Sequence, residues 1–383
     1  MHKIKALIPS LLAMACFLAP TCQAVPRPDP ATGPTYHAEA GLRGIAPTPI
    51  RPPLVVGWRF KVGAPVSLAP IVYRGIIYAV SDRGEMIALG MDGVKHWATT
   101  LPPQADQEHF STPPLGLDNI VLAGTDKGFV HAFDAKTGAL NWKTKIGDDI
   151  YGALNWLEPE GTNRLTVLAL SRNNSSLYRL ALTSGNILWV SNPGGRSDCS
   201  PAAGNGVIVF GACDSALHFI SPNNGAAIAK IEFEEHGPMA AGIAIDGTRL
   251  FAGTRDGSVL CADTTAFTIL WTNQVAGNEV FTTPAVAAQR VLAGSSDGSL
   301  YCLNRENGKK IWSVPTPGSP ASPRVSDNTV VITSGGTLML LSLTDGKTLW
   351  TEKPCDTLSS PALSAGTIIV GTDDGFIILY HSK

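Results

Sequence analysis

The chain has 383 residues, of which 44% are hydrophobic and 16% are charged, and its formal net charge is −2. This composition excludes an intrinsically disordered chain, because such chains are rich in charge and poor in apolar residues. The 39 glycines and 28 prolines exclude a coiled coil or another long-helix protein. The near-neutral charge provides no broad basic surface for nucleic acid or acidic lipid.

The N-terminus has the layout of a secretory signal peptide. A basic segment (residues 1–5) and an apolar run (6–20) precede small residues at the −3 and −1 positions of a cleavage point. The apolar run is too short for a membrane span. We therefore predict that residues 1–24 are a signal peptide and that the mature protein is periplasmic. A lipid anchor on Cys16 or Cys22 is the minority alternative, because both match a lipid-attachment signal poorly.

A proline-rich segment follows the signal peptide. Residues 25–53 contain eight prolines, which disfavour a helix and a central strand. We predict a Pro-rich tether that acts as an extended spacer, with a partner-binding arm as the alternative.

The rest of the chain carries a repeat of about forty residues, marked by tryptophan. Successive tryptophans are separated by 39, 45, 47, 82, 41 and 38 residues, so the gap of 82 spans two periods with one tryptophan missing. The missing repeat has Ala229 at the tryptophan position, and the repeat of Trp271 has Phe267 where the others have glycine. The tryptophans of the repeat are Trp58, Trp97, Trp142, Trp189, Trp271, Trp312 and Trp350.

Two further signals share this register. Tight Thr/Ser-x-x-Gly turns, such as residues 125–128, join short apolar segments, and Ser/Thr-Pro followed by small residues begins each unit. Four short strands in about forty residues are typical of a β-propeller blade. We predict an all-β, eight-bladed propeller over residues 54–383. Its last blade combines both ends of the chain, with residues 54–60 as the outer strand, so the ring has no open edge.

Three segments carry a family resemblance: residues 132–142, 303–312 and 343–350. They resemble the tryptophan-docking repeat of the pyrroloquinoline-quinone-like, or quinoprotein-type, β-propellers. The resemblance implies that all seven tryptophans are structural and that each packs between neighbouring blades.

Two branches of this family differ in chemistry. The dehydrogenases hold pyrroloquinoline quinone and calcium in the central funnel, and they are much longer than this chain. This sequence lacks their vicinal cysteine pair and their Glu/Asn/Asp calcium ligands on the inner strands. It is therefore more similar to the small exported BamB-like propellers, which have no cofactor.

The resemblance implies a non-catalytic function. We expect a monomeric protein-binding or scaffolding module of the cell envelope, with an envelope protein as partner and with no cofactor, metal or catalytic residue. The alternatives are a quinone-dependent dehydrogenase-like protein and a sensor that binds a ligand in the axial channel.

Five cysteines follow residue 24, and two of them flank a hairpin turn. Cys199 and Cys213 lie about symmetrically around residues 204–206, so a regular hairpin would bring them near disulfide distance. A one-residue slip of the register would leave two free thiols. Cys261 and Cys302 occupy equivalent strand positions in successive blades and are expected to pack as buried thiols.

The loops between blades carry an excess of acidic residues. The acids are Asp106, Glu108, Asp148, Asp149, Asp198, Glu234, Glu235, Glu279 and Asp356, opposed by Arg196 and Lys353. An acidic face could attract a basic partner, although a merely solvated face is the simpler interpretation. Trp156 falls outside the repeat and is either a binding anchor or a core residue. The candidate interaction face therefore comprises Asp148, Asp149, Glu234, Glu235 and Trp156.

Overall fold

The computed structural model describes residues 33–101, 108–158, 164–233, 237–239 and 242–383. These ranges contain 33 β-strands and no helix. Within them, accordingly, no helix is long and apolar enough to cross a membrane. The predicted signal peptide lies outside the described residues.

Two strands, β1 (Ile45–Ala46) and β2 (Leu54–Lys61), precede the first complete blade. The other strands form eight antiparallel sheets in which the chain runs from the innermost strand outwards, and the inner strands of adjacent sheets contact one another. This arrangement confirms the predicted eight-bladed propeller.

The strands follow the chain in groups of four per blade. Blade 1 contains β3 (Ile71–Tyr73), β4 (Ile76–Val80), β5 (Glu85–Gly90) and β6 (Lys95–Thr100), and blade 2 contains β7 (Leu115–Leu117), β8 (Ile120–Gly124), β9 (Phe129–Asp134) and β10 (Leu140–Lys145). Blade 3 contains β11 (Asn155–Leu157), β12 (Thr166–Leu170), β13 (Leu177–Ala181) and β14 (Ile187–Ser191), and blade 4 contains β15 (Ala202–Gly204), β16 (Val207–Ala212), β17 (Ala216–Ile220) and β18 (Ala227–Glu232). Blade 5 contains β19 (Ala244–Asp246), β20 (Arg249–Gly253), β21 (Ser258–Asp263) and β22 (Thr268–Gln274), and blade 6 contains β23 (Ala285–Ala287), β24 (Arg290–Ser295), β25 (Ser299–Asn304) and β26 (Lys310–Pro315). Blade 7 contains β27 (Arg324–Ser326), β28 (Thr329–Ser334), β29 (Thr337–Ser342) and β30 (Thr348–Glu352). Blade 8 contains β31 (Ala362–Ser364), β32 (Thr367–Gly371) and β33 (Phe376–Ser382), with β2 as its outer strand.

The ring closes through its two ends. Strand β2 pairs antiparallel with β33, from Leu54 opposite Ser382 to Lys61 opposite Phe376. This is the closure that the sequence predicts. It protects an outer edge of the C-terminal strand, which would otherwise be open to other chains.

The hydrophobic core is divided among the seams between blades. Eight clusters of buried side chains occur, one at each seam, and most of their members are Leu, Ile, Val and Ala. Burying one large aliphatic side chain contributes about 1.5–3 kcal/mol, so each seam contributes strongly to the free energy of folding.

The repeat tryptophans lie at these seams. The Trp97 indole donates to the Ala135 carbonyl of the next blade at 3.0 Å, and its ring covers Gly138, where a Cβ atom would lie 2.5 Å from the ring. Gly138 also has a φ of 73°, a conformation that favours glycine. Indole-to-carbonyl bonds of the same kind are made by Trp58, Trp142, Trp189, Trp271 and Trp312. Trp350 instead packs edge-on against Tyr380.

The seam between blades 4 and 5 is built differently. Ala229 stands at the tryptophan position of blade 4, and Phe267 replaces the glycine of blade 5 that such a tryptophan would cover. Both residues pack on the same buried cluster. The Phe267 ring meets Phe219 edge-on, with 5.1 Å between centroids. The two exceptions in the repeat therefore compensate each other, since the large ring now comes from the opposite side of the seam.

The described part of the predicted tether does not lie apart from the propeller. We call residues 33–50 the axial strap. Its carbonyls accept hydrogen bonds of 2.7–2.9 Å from the backbone N–H groups of five inner strands, in blades 2, 4, 5, 6 and 7. The donors are Gly116, Ala203, Ile245, Val286 and Val325. In blade 3 the Asn155 side chain donates to Ala40, and β1 pairs in parallel with β27.

The strap also fills space inside the ring. Thr35 donates to the Leu154 carbonyl of blade 3, and Tyr36 donates to the Ser322 hydroxyl of blade 7. His37 is fully buried beneath them. Arg324 is buried here too and donates to the Gly44 carbonyl, and burial lowers its pKa to about 10. The strap thus replaces solvent in the centre of the ring with main chain and buried side chains.

The two ends of the ring differ in what they expose. We call the end with the hairpins between first and second strands and between third and fourth strands the turn face. The opposite end, with the second-to-third-strand turns and the blade-connecting loops, is the loop face. Strap residues 38–41 and 43 line a cavity at the turn face together with Asn205 and Gly247.

Candidate interaction face

The structure divides the predicted interaction residues between the two faces. Asp148 and Asp149 lie together on the loop face, between blades 2 and 3; Asp148 is exposed and Asp149 is half-buried. Trp156 lies on the inner strand β11 and borders cavities of the turn face, so it belongs to a different site. Glu234 and Glu235 lie outside the described residues.

Some of the acids predicted for the loop face are paired with arginines between blades 3 and 6. Arg172 and Arg255, on the turns of blades 3 and 5, project into the same loops. Arg172 binds Asp198 at 2.6 Å and Asp149 at 3.2 Å. Arg255 binds Glu279 at 2.9 Å and approaches Asp198 to 3.5 Å. Together with Arg196, which also contacts Asp198, three arginines balance three carboxylates. We call these six residues the charge network.

Asp198 is the centre of the charge network, because its carboxylate meets three guanidinium groups. Its side chain is only 10% exposed. Burial opposes ionisation of this carboxyl, but the neighbouring Arg172 and Arg196 outweigh it and hold the pKa below its usual value. A network of this kind fixes the orientation of long side chains that single surface ion pairs leave mobile.

An aromatic ring lies beside the network. The Arg172 guanidinium stacks 4.3 Å from the centroid of Tyr151, and Tyr151 is 52% exposed. A cavity of about 350 Å³ opens between them, bordered by Tyr151, Asp198 and Arg255 and, at its base, by Tyr36 of the strap. Exposed tyrosine and arginine side chains held in fixed positions are typical of protein-binding surfaces.

Glu108, which the sequence placed among the acidic surface residues, is buried instead. Its carboxylate accepts hydrogen bonds of 2.8 Å from the Thr125 hydroxyl and from Nε2 of His131. His131 stacks on Phe133 and is fully buried. Burial lowers the pKa of His131, although Glu108 opposes this shift. Glu108 therefore contributes to packing between blades 1 and 2 and is not part of the face.

Of the two outcomes that the sequence left open, the structure has the free thiols: Cys199 and Cys213 form no disulfide. The pairing of β15 with β16 explains this, since Ala202 lies opposite Val209 and the same register continued to Cys199 would reach Ala212, one residue short of Cys213. Burial raises the pKa of Cys199 to about 12. Cys261 and Cys302 are buried and also have a pKa of about 12 because of burial.

Among the described residues, one group has metal-ligating spacing. Cys355, Asp373 and Asp374 meet on the loop face of blade 8, and both carboxylates are exposed. The group lies outside the central funnel. Exposed acidic groups of this kind are common without an ion, and no other feature of this site indicates a ligand.

The fold and the seams define a quinoprotein-type propeller with PQQ-like repeats. Residues 107–237 and 214–353 match the family described as outer membrane protein assembly factor BamB. These segments cover more than half of the chain, which belongs to this family.

Curated relatives carry the same description. BamB of Escherichia coli (strain K12) is 25% identical over 199 residues, which are 50% of this chain and 48% of that protein. BamB of Burkholderia pseudomallei is 26% identical over 293 residues, 72% of this chain and 73% of that protein. The chain thus spans about half the length of the first of these relatives.

Solved structures share the fold at lower identity. BamB from Moraxella catarrhalis has a TM-score of 0.71 and 17% identity, covering 87% of this chain and 98% of that one. Quinohemoprotein alcohol dehydrogenase from Comamonas testosteroni has a TM-score of 0.76 and 12% identity, covering 92% and 81%. At these identities the likeness shows the fold alone, since one propeller fold supports many functions.

Proposed function

We propose that the protein is a non-catalytic scaffold of the cell envelope, and that it binds an outer-membrane assembly protein through its loop face. The observation that carries the proposal is the charge network beside the exposed Tyr151. It presents rigid, charged and aromatic groups on one end of a rigid ring. The family description, outer membrane protein assembly factor, supplies the class of partner.

The chemistry of the face suggests how it would recognise that partner. Arg172 and Arg255 have acidic partners within the network, so the surface favours a complementary segment with both charges over a uniformly basic one. Exposed Tyr151 offers a flat apolar ring with little entropy to lose on binding. Asp148 is exposed at the rim of this surface and is placed to attract a cation of the partner.

The centre of the ring supports the non-catalytic part of the proposal. In the dehydrogenase branch that the repeats resemble, this region would hold the quinone and its calcium ion. Here strap residues Tyr36 and His37 lie within the ring, and the buried charge beside them is the cation Arg324. Calcium needs several oxygen ligands that converge on one point, and among the described residues the one group with metal-ligating spacing is Cys355, Asp373 and Asp374, on the loop face of blade 8.

We also propose that the protein reaches the periplasm through its predicted signal peptide. The support is the sequence of residues 1–24 and the envelope description of the family. The N-terminus of the mature protein tests this step. Processing between Ala24 and Val25 is expected, and an acylated cysteine would instead indicate the lipid anchor.

Affinity purification from detergent-solubilised envelopes of the source organism tests the scaffold. The full chain with a C-terminal tag should retain an outer-membrane assembly protein, identified by mass spectrometry. The double variant Asp148→Lys/Tyr151→Ala should lose it, because both side chains are exposed on the loop face. Neither belongs to a buried hydrophobic cluster, so the fold should be kept. The control Lys136→Glu reverses an exposed charge on the turn face of blade 2 and should retain the partner.

Equal recovery of the partner by the double variant and by Lys136→Glu would reject the loop face as the binding surface. The dehydrogenase alternative is tested separately by calorimetric titration with pyrroloquinoline quinone, with and without calcium. No heat of binding is expected, and tight calcium-dependent binding would overturn the non-catalytic assignment.

A further inference from the structure

Blade 3 carries an arginine where every other blade has an apolar residue. Arg179 on β13 pairs with Trp189, the repeat tryptophan on the outer strand of blade 3. In the other blades, the residues that pair with the repeat tryptophan, or with Ala229 in its place, are apolar: Ala88, Ala132, Phe219, Cys261, Cys302, Leu340 and Leu379. This position therefore accepts an apolar side chain, and packing alone does not require a cation.

The Arg179 side chain is buried without a carboxylate. It is 7% exposed, and it donates from Nε to the Thr166 hydroxyl at 2.9 Å and from Nη1 to the Pro222 carbonyl at 2.8 Å. Among the described residues it forms no ion pair, and its Nη2 donates no hydrogen bond. Burial lowers the pKa of Arg179. A buried cation without a counter-ion is costly, so an anion that completes it would be bound favourably.

Arg179 borders a cavity of about 440 Å³ at the turn face, between blades 3 and 4. The rest of the lining is mainly apolar and includes Trp156, Leu157, Ala203 and Pro222. Glu158 borders the cavity too, but it forms no ion pair with Arg179. The volume lies in the range of sites for small organic ligands, which are apolar with a few polar groups that fix orientation.

Trp156 is the second exception in blade 3. It is the middle residue of an inner strand, and the corresponding residues of the other blades are Val72, Gly116, Ala203, Ile245, Val286, Val325 and Leu363. Its indole Nε1 is buried and has no acceptor. Trp156 also borders a second cavity of about 440 Å³ that continues towards the strap. Two residues that depart from the repeat thus meet at one cavity.

We propose that this cavity binds the carboxylate of an apolar or aromatic organic acid. The free edge of the Arg179 guanidinium would receive the carboxylate, since its planar fork matches the two oxygens. Trp156, Leu157 and Pro222 would cover the apolar body of the acid. The site lies on the turn face and is independent of the proposed loop-face scaffold. The acid is either a free small molecule or the C-terminal carboxylate of a peptide, because both present the same group.

Calorimetric titration of the full chain with two acids tests the proposal. The probes are 3-phenylpropionate and the peptide acetyl-Ala-Ala-Phe, each compared with a neutral partner, 3-phenylpropanol or the peptide amide. We expect at least one acid to bind and its neutral partner to bind at least about tenfold more weakly, which is the size of a charge-assisted hydrogen bond. Binding of 3-phenylpropionate would identify a free small acid as the ligand, and binding of the peptide would identify a C-terminal carboxylate.

Arg179→Leu is the matching variant, because leucine occupies this register position in blades 7 and 8. It should keep the melting temperature and weaken acid binding at least about tenfold. Arg83→Leu removes an equal charge at an exposed loop-face position and should bind the acid as the wild type does.

A measurement on the wild-type protein avoids dependence on the folding of a variant. With ¹⁵N-labelled tryptophan, the indole resonance of Trp156, assigned by its loss in Trp156→Phe, should shift on titration with the acid that binds. The indole of Trp350 in blade 7 should not shift. Binding of neither acid, equal binding of an acid and its neutral partner, or an unmoved Trp156 resonance would overturn the proposal.

Discussion

The two ends of the propeller ring are covered by different parts of the polypeptide. At the turn face the strap is held by main-chain hydrogen bonds to the inner strands of five blades. At the loop face the surface consists of side chains, with Asp198 between Arg172, Arg196 and Arg255. The turn face is therefore fixed by backbone hydrogen bonds that support the fold, whereas the loop face depends on side chains that can change with less effect on it. Changes at the turn face should therefore affect stability most, and changes at the loop face should affect binding most.

The largest expected effect on stability is at the strap. A Cβ atom on Gly41 would lie 2.7 Å from the Ile245 carbonyl oxygen, which belongs to an inner strand. Gly41→Val should therefore lower the free energy of unfolding by about 1–3 kcal/mol, measured by chemical denaturation. Gly277→Ala on the loop face is the control, because nothing lies within 4 Å of a Cβ atom there. Equal stability of the two variants would mean that the strap does not support the ring.

A smaller loss of stability and a larger loss of binding are expected at Asp198. Asp198→Ala leaves three guanidinium groups without their shared carboxylate. We expect about 1 kcal/mol less stability, because the arginines remain partly solvated, together with loss of the co-purified partner. Thermal denaturation and affinity purification on the same sample separate the two effects. Full retention of the partner would exclude the charge network from the interface.

Buried His131, which is hydrogen-bonded to Glu108, makes the free energy of unfolding sensitive to acid. The folded-state pKa of His131 is lowered by burial, so its contribution to stability is complete above the unfolded value of about 6.5 and is lost as the pH falls below it. The free energy of unfolding should decline between pH 6.5 and the lower folded pKa. His131→Gln should reduce that slope. The exposed-site variant His381→Gln should leave it unchanged, and an identical slope in all three proteins would contradict this account.

The smallest effect on stability is expected at Asp148. This side chain is exposed at the rim of the loop face. Asp148→Lys should change the free energy of unfolding by no more than about 0.5 kcal/mol, as is usual for surface substitutions. It should nevertheless slow association with the partner, since a reversed charge alters electrostatic attraction. Association kinetics at two salt concentrations measure this, and the difference from wild type should shrink at the higher one.

The sequence predicted the ring because each blade repeats the same local pattern. The tryptophan spacing determined the number of blades, and the unpaired outer strand at residues 54–60 indicated the closure with the C-terminus. The exchange of Ala229 and Phe267 was visible as two irregularities, but their compensation was not. It depends on two residues about one period apart meeting across a seam.

The strap was not predicted, because the eight prolines of residues 25–53, the segment that contains it, were taken to exclude helix and central strand, since proline lacks a hydrogen-bond donor. The observed contacts use acceptors instead, and the Pro34 carbonyl accepts from Gly116 as any residue could. An interior that needs acceptors for its inner-strand N–H groups can therefore hold a proline-rich segment.

The charge network of the loop face was predicted only in part. Asp148 and Asp149 were found from the excess of acids in the loops, but Arg172 and Arg255 were not weighed against those acids. They follow Ser171 and Thr254 in the second-to-third-strand turns, and every such turn projects to the loop face. The charge network becomes visible only when the closed ring brings together residues that are up to 130 positions apart, from Asp149 to Glu279.

Site-specific photo-crosslinking in the envelope tests whether the loop face binds the partner. A photoreactive phenylalanine analogue would replace Tyr151 on the loop face in one protein and Lys136 on the turn face in another. We expect position 151 to crosslink to an outer-membrane assembly protein and position 136 not to. Crosslinking of that protein from position 136 and not from position 151 would contradict the assignment of the loop face as the binding surface.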